Sequence, residues 1–129
     1  MNYRLQKREK SVETSKSLRE TGNHQFGLKD YPACVRTYTE AILSCPEKDA
    51  QECSLALANR SAALFQMNLF NECITDVNAA LERNYPSKLV AKVLLRKAKC
   101  LCKLSKDYNQ ILADLEVAMQ DLQVSDKSK

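Results

Sequence analysis

The side chains that could do chemistry in this 129-residue chain are cations and amides. Lys92 and Arg96 are four residues apart, a spacing that places both on one face of an α-helix. Arg19 and Asn23 have the same spacing near the start of the chain, and Asn59 lies between the two pairs. The set offers many hydrogen-bond donors and few acceptors, as a receptor for carboxylates requires.

Helices must position these groups, because one helical pattern occurs in three copies. Each copy has a small residue, an aromatic residue about nine positions later, and an alanine further on. These residues are Gly22, Tyr31 and Ala41 in the first copy, Ser61, Phe70 and Ala80 in the second, and Ala98, Tyr108 and Ala118 in the third. We expect the small residue to let two helices lie close together and the aromatic residue to pack back across the turn.

Apolar residues recur at intervals of three or four, and no strand-like alternation competes with them. This spacing predicts an all-α fold of paired helices joined by short turns. The helices are expected at roughly 13–28, 31–45, 50–67, 69–83, 87–104 and 107–123, with ends uncertain by a few residues.

The length predicts a single repeat domain over residues 13–124. Residues 1–12 are then a basic arm or an extension of the first helix, and 125–129 form a short tail. Four apolar residues of the last helix are expected to have one side uncovered: Ile111, Leu115, Met119 and Leu122. The sequence therefore predicts a fragment of a longer protein, or self-association through this surface.

Composition and charge exclude several partners. The formal net charge of +4 is too weak to indicate nucleic acid, and no aromatic residues are interleaved with the lysines between Lys88 and Lys103. No apolar run approaches the roughly 20 residues of a membrane span. The basic N-terminus is not followed by an apolar stretch, so no secretory signal is expected. We therefore expect a cytoplasmic protein, with the nucleus left open as a second compartment.

Catalysis is not expected from these residues. A catalytic cysteine needs a partnered base, and His24 is the only histidine. Gly22 and Gly27 are the only glycines, which excludes a glycine-rich phosphate loop. The chain is therefore predicted not to be an enzyme and to need no cofactor.

The six cysteines indicate packing rather than metal binding. They are Cys34, Cys45, Cys53, Cys73, Cys100 and Cys102. They form no C-x-x-C pair and are scattered over helical positions, whereas zinc sites need four clustered ligands. We predict no metal and no native disulfide, with Cys34 and Cys73 the most deeply buried.

The copies resemble the tetratricopeptide repeat family over about 110 residues. The resemblance is strong in "GNHQFGLKDYPACVRTYTEAILSCP" and "ANRSAALFQMNLFNECITDVNAAL", and looser in "LLRKAKCLCKLSKDYNQILADLEVAM". It implies an α-solenoid of three helix-turn-helix repeats, whose first helices line a concave surface that commonly receives an extended peptide. The fold alone therefore implies protein binding rather than chemistry.

Within that family the residues resemble the carboxylate clamp of co-chaperones, which binds the acidic C-terminal tails of the 70 and 90 kDa heat-shock chaperones. The resemblance implies clamp cations and amides at Arg19, Asn23, Asn59, Lys92 and Arg96. It also implies that Phe26, Ala62 and Gln66 shape the pocket for the residues before the end of the tail. Arg19 departs from the usual lysine but keeps its charge.

Two alternatives remain open. A single basic pair four residues apart is usually a solvated helix face, and the stripe from Lys88 to Lys103 fits that description. The second and third copies also resemble the amino-terminal repeat region of SET- and MYND-domain proteins, which carry a lysine methyltransferase domain further along. That resemblance implies a scaffold region with a different protein partner.

Overall fold

The computed structural model describes residues 10–47, 50–105 and 112–120. Its helices are α1 (Val12–Gly27), α2 (Tyr31–Ser44), α3 (Ala50–Gln66), α4 (Phe70–Leu81) and α5 (Val90–Leu104), and a 3-10 turn (Ser87–Leu89) leads into α5. Residues 112–120 are helical and belong to the predicted sixth helix, α6. No strand occurs in these three ranges, so the predicted all-α fold is confirmed.

The turns inside the first two helix pairs share one geometry. Lys29 and Asn68 occupy matching positions after α1 and α3, and both adopt left-handed backbone conformations with φ of 63° and 62°. In the first turn the Asp30 side chain then accepts a hydrogen bond of 3.3 Å from the backbone N–H of Ala33 and caps α2. Each pair is thus closed by a tight turn whose form repeats.

Aromatic rings close both turns from the side. Phe26 and Tyr31 pack edge to face with ring centroids 5.3 Å apart. Phe65 and Phe70 repeat the arrangement at 5.6 Å. The predicted packing of Tyr31 and Phe70 across the turn is confirmed, and each T-shaped pair fixes the angle between its two helices.

The helices form two layers. Consecutive helices pack against each other from α1 to α5, and in addition α1 contacts α3 and α3 contacts α5. The first helices of the three copies are therefore neighbours and form the inner layer, with α2 and α4 behind them. Cys73, Val77 and Ala80 of α4 are fully buried between the layers. This arrangement gives one groove bordered by α1, α3 and α5.

A single arginine ties the layers together on the side away from the groove. Arg60 of α3 donates two hydrogen bonds to the carboxylate of Asp76, at 2.7 and 2.8 Å. Its third nitrogen donates to Oγ1 of Thr39 at 3.2 Å. The hydrogen bond to Asp76 also raises the pKa of Arg60. Arg60 therefore joins α3 to both helices of the outer layer.

All six cysteines are buried as free thiols, and both Cys34 and Cys73 are fully buried as predicted. Cys100 is buried equally deeply. Burial raises the pKa of Cys73 to about 12, with a hydrogen bond to Cys100 acting in the same direction. Such thiols stay protonated near neutral pH and are poor nucleophiles and poor metal ligands.

We expect purified protein to contain six titratable thiols after denaturation and no stoichiometric zinc. In the folded state, a thiol-specific reagent should modify Cys73 slowly because its thiol is both inaccessible and protonated. Thiol counting with and without denaturant, combined with elemental analysis, checks this. One zinc per chain, or fewer than six thiols under non-reducing conditions, would contradict it.

The end of the chain is partly described. Leu115 and Met119 of α6 are 43% and 61% exposed, in line with the uncovered side expected for this helix. Ile111 and Leu122, named with them, lie outside the described residues. Within the described ranges, no helix has the length and apolar character needed to cross a membrane.

Candidate ligand-binding groove

The inner layer encloses an open groove of about 740 Å³, part of it continuous with solvent. Side chains from α1, α3 and α5 line it, together with one residue from α2 and two from the segment between α4 and α5. The lining residues are Asn23, Phe26, Tyr38, Leu55, Ala58, Asn59, Ala62, Tyr85, Leu89, Lys92, Val93 and Arg96. Six of the eight residues predicted from the sequence are therefore brought together in one groove.

The two predicted amides are hydrogen-bonded to each other. Oδ1 of Asn23 accepts a hydrogen bond of 2.6 Å from the Tyr38 hydroxyl and another of 3.0 Å from Nδ2 of Asn59. Because Oδ1 is used twice, the amide N–H₂ of Asn23 is left to face a ligand as a donor. Burial raises the pKa of Tyr38 to about 12, so its hydroxyl stays protonated and keeps Asn23 in this orientation.

Arg96 brings charge to the opposite wall and is itself held in place. Its Nη1 donates to Oγ of Ser61 at 2.9 Å and to the carbonyl of Ala58 at 3.3 Å. Ser61 was predicted only as a small packing residue, but its hydroxyl positions the arginine. The other N–H groups of the guanidinium remain for a ligand.

Lys92 lies one turn before Arg96 on the same face of α5 and is exposed. No hydrogen bond or ion pair to Lys92 occurs among the described residues. The α5 wall therefore presents two positive charges, and no carboxylate is among the residues that line the groove. This arrangement attracts anions.

Arg19 does not line the groove. Its Nε donates to Oε1 of Glu52 on α3 at 2.8 Å, and the two side chains are only 16% and 10% exposed. This ion pair joins α1 to α3 beside the groove. The sequence could place Arg19 on the Asn23 face of α1, but its partner comes from 33 residues further along the chain.

The three predicted pocket residues differ in placement. Phe26 and Ala62 line the groove, where Phe26 also holds the turn through Tyr31. Gln66 is exposed and is not among the lining residues. It is the last residue of α3, one turn beyond Ala62, and the groove ends before it.

Several lining residues were not predicted. Leu55 lies four residues before Asn59, and Leu89 and Val93 flank Lys92, so continuing the helical spacing would have found them. Tyr85 gives no such signal, because it stands in the turn after α4, and its position depends on the 3-10 turn that follows. It is half-buried, and burial raises the pKa of its hydroxyl while the charge of Arg96 lowers it.

The polar groups of the groove suit the binding of a ligand. These side chains are amides, phenols and cations, while the six buried thiols all lie elsewhere. The residues that the structure describes include no cluster of histidine, cysteine and carboxylate groups able to hold a metal ion. Apolar walls with donors at one end suit an elongated ligand that carries a negative charge at its tip.

No protein-family model matches the sequence, but proteins of two kinds are similar to it. Protein-lysine N-methyltransferase SMYD4 of Danio rerio is 42% identical over 97 residues, which cover 75% of this chain and 13% of that protein. Hsp70-Hsp90 organizing protein 1 of Arabidopsis thaliana is 35% identical over 109 residues, covering 79% of this chain and 18% of that protein. This chain is a tetratricopeptide-repeat domain.

SMYD4 of Homo sapiens is a further relative, 39% identical over 100 residues, which cover 76% of this chain and 12% of that protein. The tetratricopeptide-repeat domain thus spans less than a fifth of the length of each of these relatives. The similarity supports the fold.

Proposed function

We propose that this domain binds the acidic C-terminal tails of heat-shock chaperones of the 70 and 90 kDa classes through a carboxylate clamp. The observation that carries the proposal is the convergence of Asn23, Asn59, Lys92 and Arg96 on one groove. Cations on α5 meet amides on α1 and α3, and the donors outnumber the acceptors. Ionised donors form short, strong hydrogen bonds with carboxylates, which accept only.

The groove is preorganised for such a ligand. Tyr38 and Ser61 hold Asn23 and Arg96 before any peptide arrives. A receptor whose donors are already fixed loses less conformational entropy on binding, so more of the interaction energy appears as affinity. The apolar wall from Phe26, Leu55 and Val93 can receive the side chains that precede the terminal residue.

The names of the relatives agree with this role. Hsp70-Hsp90 organizing proteins of Arabidopsis thaliana and Triticum aestivum match 79% and 80% of this chain. We infer that this segment contributes binding rather than methyl transfer, since hydrogen-bond donors and apolar walls line its groove and it spans less than a fifth of the relatives' length. In this view the domain works as a co-chaperone module.

A peptide and its C-terminal amide test the proposal. We expect a synthetic octapeptide that ends in a free acidic residue to bind, and its amidated form to bind at least about tenfold more weakly, because one carboxylate is lost. Isothermal titration calorimetry at two salt concentrations measures both affinities. Higher salt should weaken binding of the free acid, since the attraction at the groove mouth is partly screened. Equal binding of the acid and the amide would refute the clamp.

A second function is favoured by the higher identity to SMYD4. There the domain is the scaffold region of a SET- and MYND-type lysine methyltransferase, and its groove holds a different protein partner. Two results together would favour this function. The chaperone-tail peptide would fail to bind, and a protein segment of other chemistry would bind at Lys92 and Arg96. The same groove serves in both cases, so the ligand distinguishes them.

A further inference from the structure

Glu52 is an unusual neighbour for a receptor of anions. It lies on α3, is 8% exposed, and carries a carboxylate directly against the guanidinium of Arg19. Arg19 is one helical turn from Asn23, which lines the groove. Arg19 is therefore a cation beside the groove that already has a carboxylate partner within the protein.

The Arg19 charge stands close to the groove wall. It acts on the Tyr38 phenol, where burial raises the pKa to about 12 and the Arg19 charge works in the opposite direction. Because Arg19 and Glu52 together carry no net charge, the cations left to a ligand are Lys92 and Arg96 on α5. The α1 side of the groove then offers hydrogen bonds from Asn23 but little positive potential.

Both members of the pair are largely buried, so it does not open readily. Removing one partner of a buried ion pair leaves an uncompensated charge, which is strongly unfavourable. A peptide carboxylate must therefore compete with Glu52 for Arg19. Glu52 has the advantage, because it belongs to the same chain and already contacts the guanidinium. This competition reduces the affinity that a second carboxylate on the ligand would add. It does not affect the contact of the first carboxylate with Lys92 and Arg96.

Resting on the proposed function, we propose that Glu52 is a specificity-determining residue that withholds Arg19 from ligands. The domain then discriminates only weakly between a peptide whose last residue is acidic, such as Asp, and one whose last residue is the corresponding amide, such as Asn. Both peptides keep the terminal main-chain carboxylate. The ligand class is broader than strictly acidic ends and includes C-terminal peptides with one carboxylate at the tip.

Two synthetic octapeptides test this, identical except for a final Asp or a final Asn and both with free C-termini. The measured quantity is the ratio of their dissociation constants, by calorimetry or fluorescence anisotropy. In Glu52→Gln the side-chain oxygen can still accept a hydrogen bond from Arg19, so part of the contact is kept while the competing charge is gone. We expect the preference for the Asp peptide to rise roughly tenfold, the gain typical of one hydrogen bond between ionised partners.

A double variant shows whether Arg19 is the source of that gain. Arg19→Gln combined with Glu52→Gln should return the ratio to that of the unsubstituted domain, because no cation is released. Glu72→Gln removes the same charge from an exposed site that does not line this groove, and it should leave the ratio unchanged. Thermal melts of each variant establish that the domain is folded.

The outcomes separate this inference from the proposed function. Binding of both peptides with an unchanged ratio in Glu52→Gln would overturn the role of Glu52 alone, as would a gain that persists in the double variant. If neither peptide bound to any of the proteins, the proposed function would fall as well. A raised ratio that reverts in the double variant supports the inference.

Discussion

Replacing Lys92 and Arg96 together by alanine should lower the affinity for a free-acid peptide roughly 100-fold, the largest binding effect that we expect from this domain. Both cations lie on the groove face of α5, and no carboxylate among the lining residues compensates them. Each single substitution removes one charge-assisted hydrogen bond and should cost about 1.5–3 kcal/mol. The sum for the pair is an upper bound, since neighbouring contacts need not be additive.

Calorimetry of the single and double variants measures this effect, and two further variants serve as controls. Lys99→Ala removes an exposed cation of α5 that does not line the groove, so it should change the affinity little. Ser61→Ala keeps the charge of Arg96 but removes the hydroxyl that positions it, so an intermediate loss is expected. A double variant that binds as well as the unsubstituted domain would mean that α5 presents only a solvated basic face.

The largest loss of stability should follow Gly22→Val. A Cβ at Gly22 would overlap ring carbon Cε1 of Tyr38 and lie 2.6 Å from Cδ1. The ring has no room to move away, since Tyr38 is only 2% exposed and its hydroxyl is bonded to Asn23. We expect the variant to lose about 3 kcal/mol of unfolding free energy, at the upper end of the usual cost of overpacking.

Thermal denaturation provides the measurement, with a decrease in melting temperature of roughly 10 °C expected for a domain of this size. Gly27→Ala is the matched control, because nothing lies within 4 Å of a Cβ at that position. It should leave stability unchanged or raise it by up to about 1 kcal/mol through the higher helix propensity of alanine. Equal melting temperatures for Gly22→Val and the unsubstituted domain would show that α1 and α2 do not meet at Gly22.

The sequence predicted the fold well because its signals are local and repeated. The predicted ends of the first five helices lie within two residues of the observed ones, except that the fifth begins as a 3-10 turn. Spacing along a single helix placed Lys92 and Arg96 on one face, and the resemblance to tetratricopeptide repeats implied that the helices of Asn23, Asn59 and this pair form the inner layer. Such residues need only the correct helical face, which a period of 3.6 residues supplies.

The remaining features depend on contacts between distant segments. Arg19 shares a helical face with Asn23, yet its hydrogen bond goes to Glu52 on α3, which no spacing rule within α1 reveals. Tyr85 reaches the groove from a turn, where no periodic pattern applies. The role of Ser61 in holding Arg96 likewise joins residues 35 positions apart. Side-chain partners of this kind need the packed arrangement of the helices.

Three consecutive residues of α3 point in three directions, and this makes the helix sensitive to a change in length. Asn59 bonds Asn23 on α1, Arg60 bonds Asp76 on α4, and Ser61 receives Arg96 from α5. Each residue advances a helix by about 100°. Inserting or deleting a single residue just before Asn59 would turn the three side chains away from their partners together. We therefore expect the domain to tolerate a change in length in its turns far better than in the middle of α3.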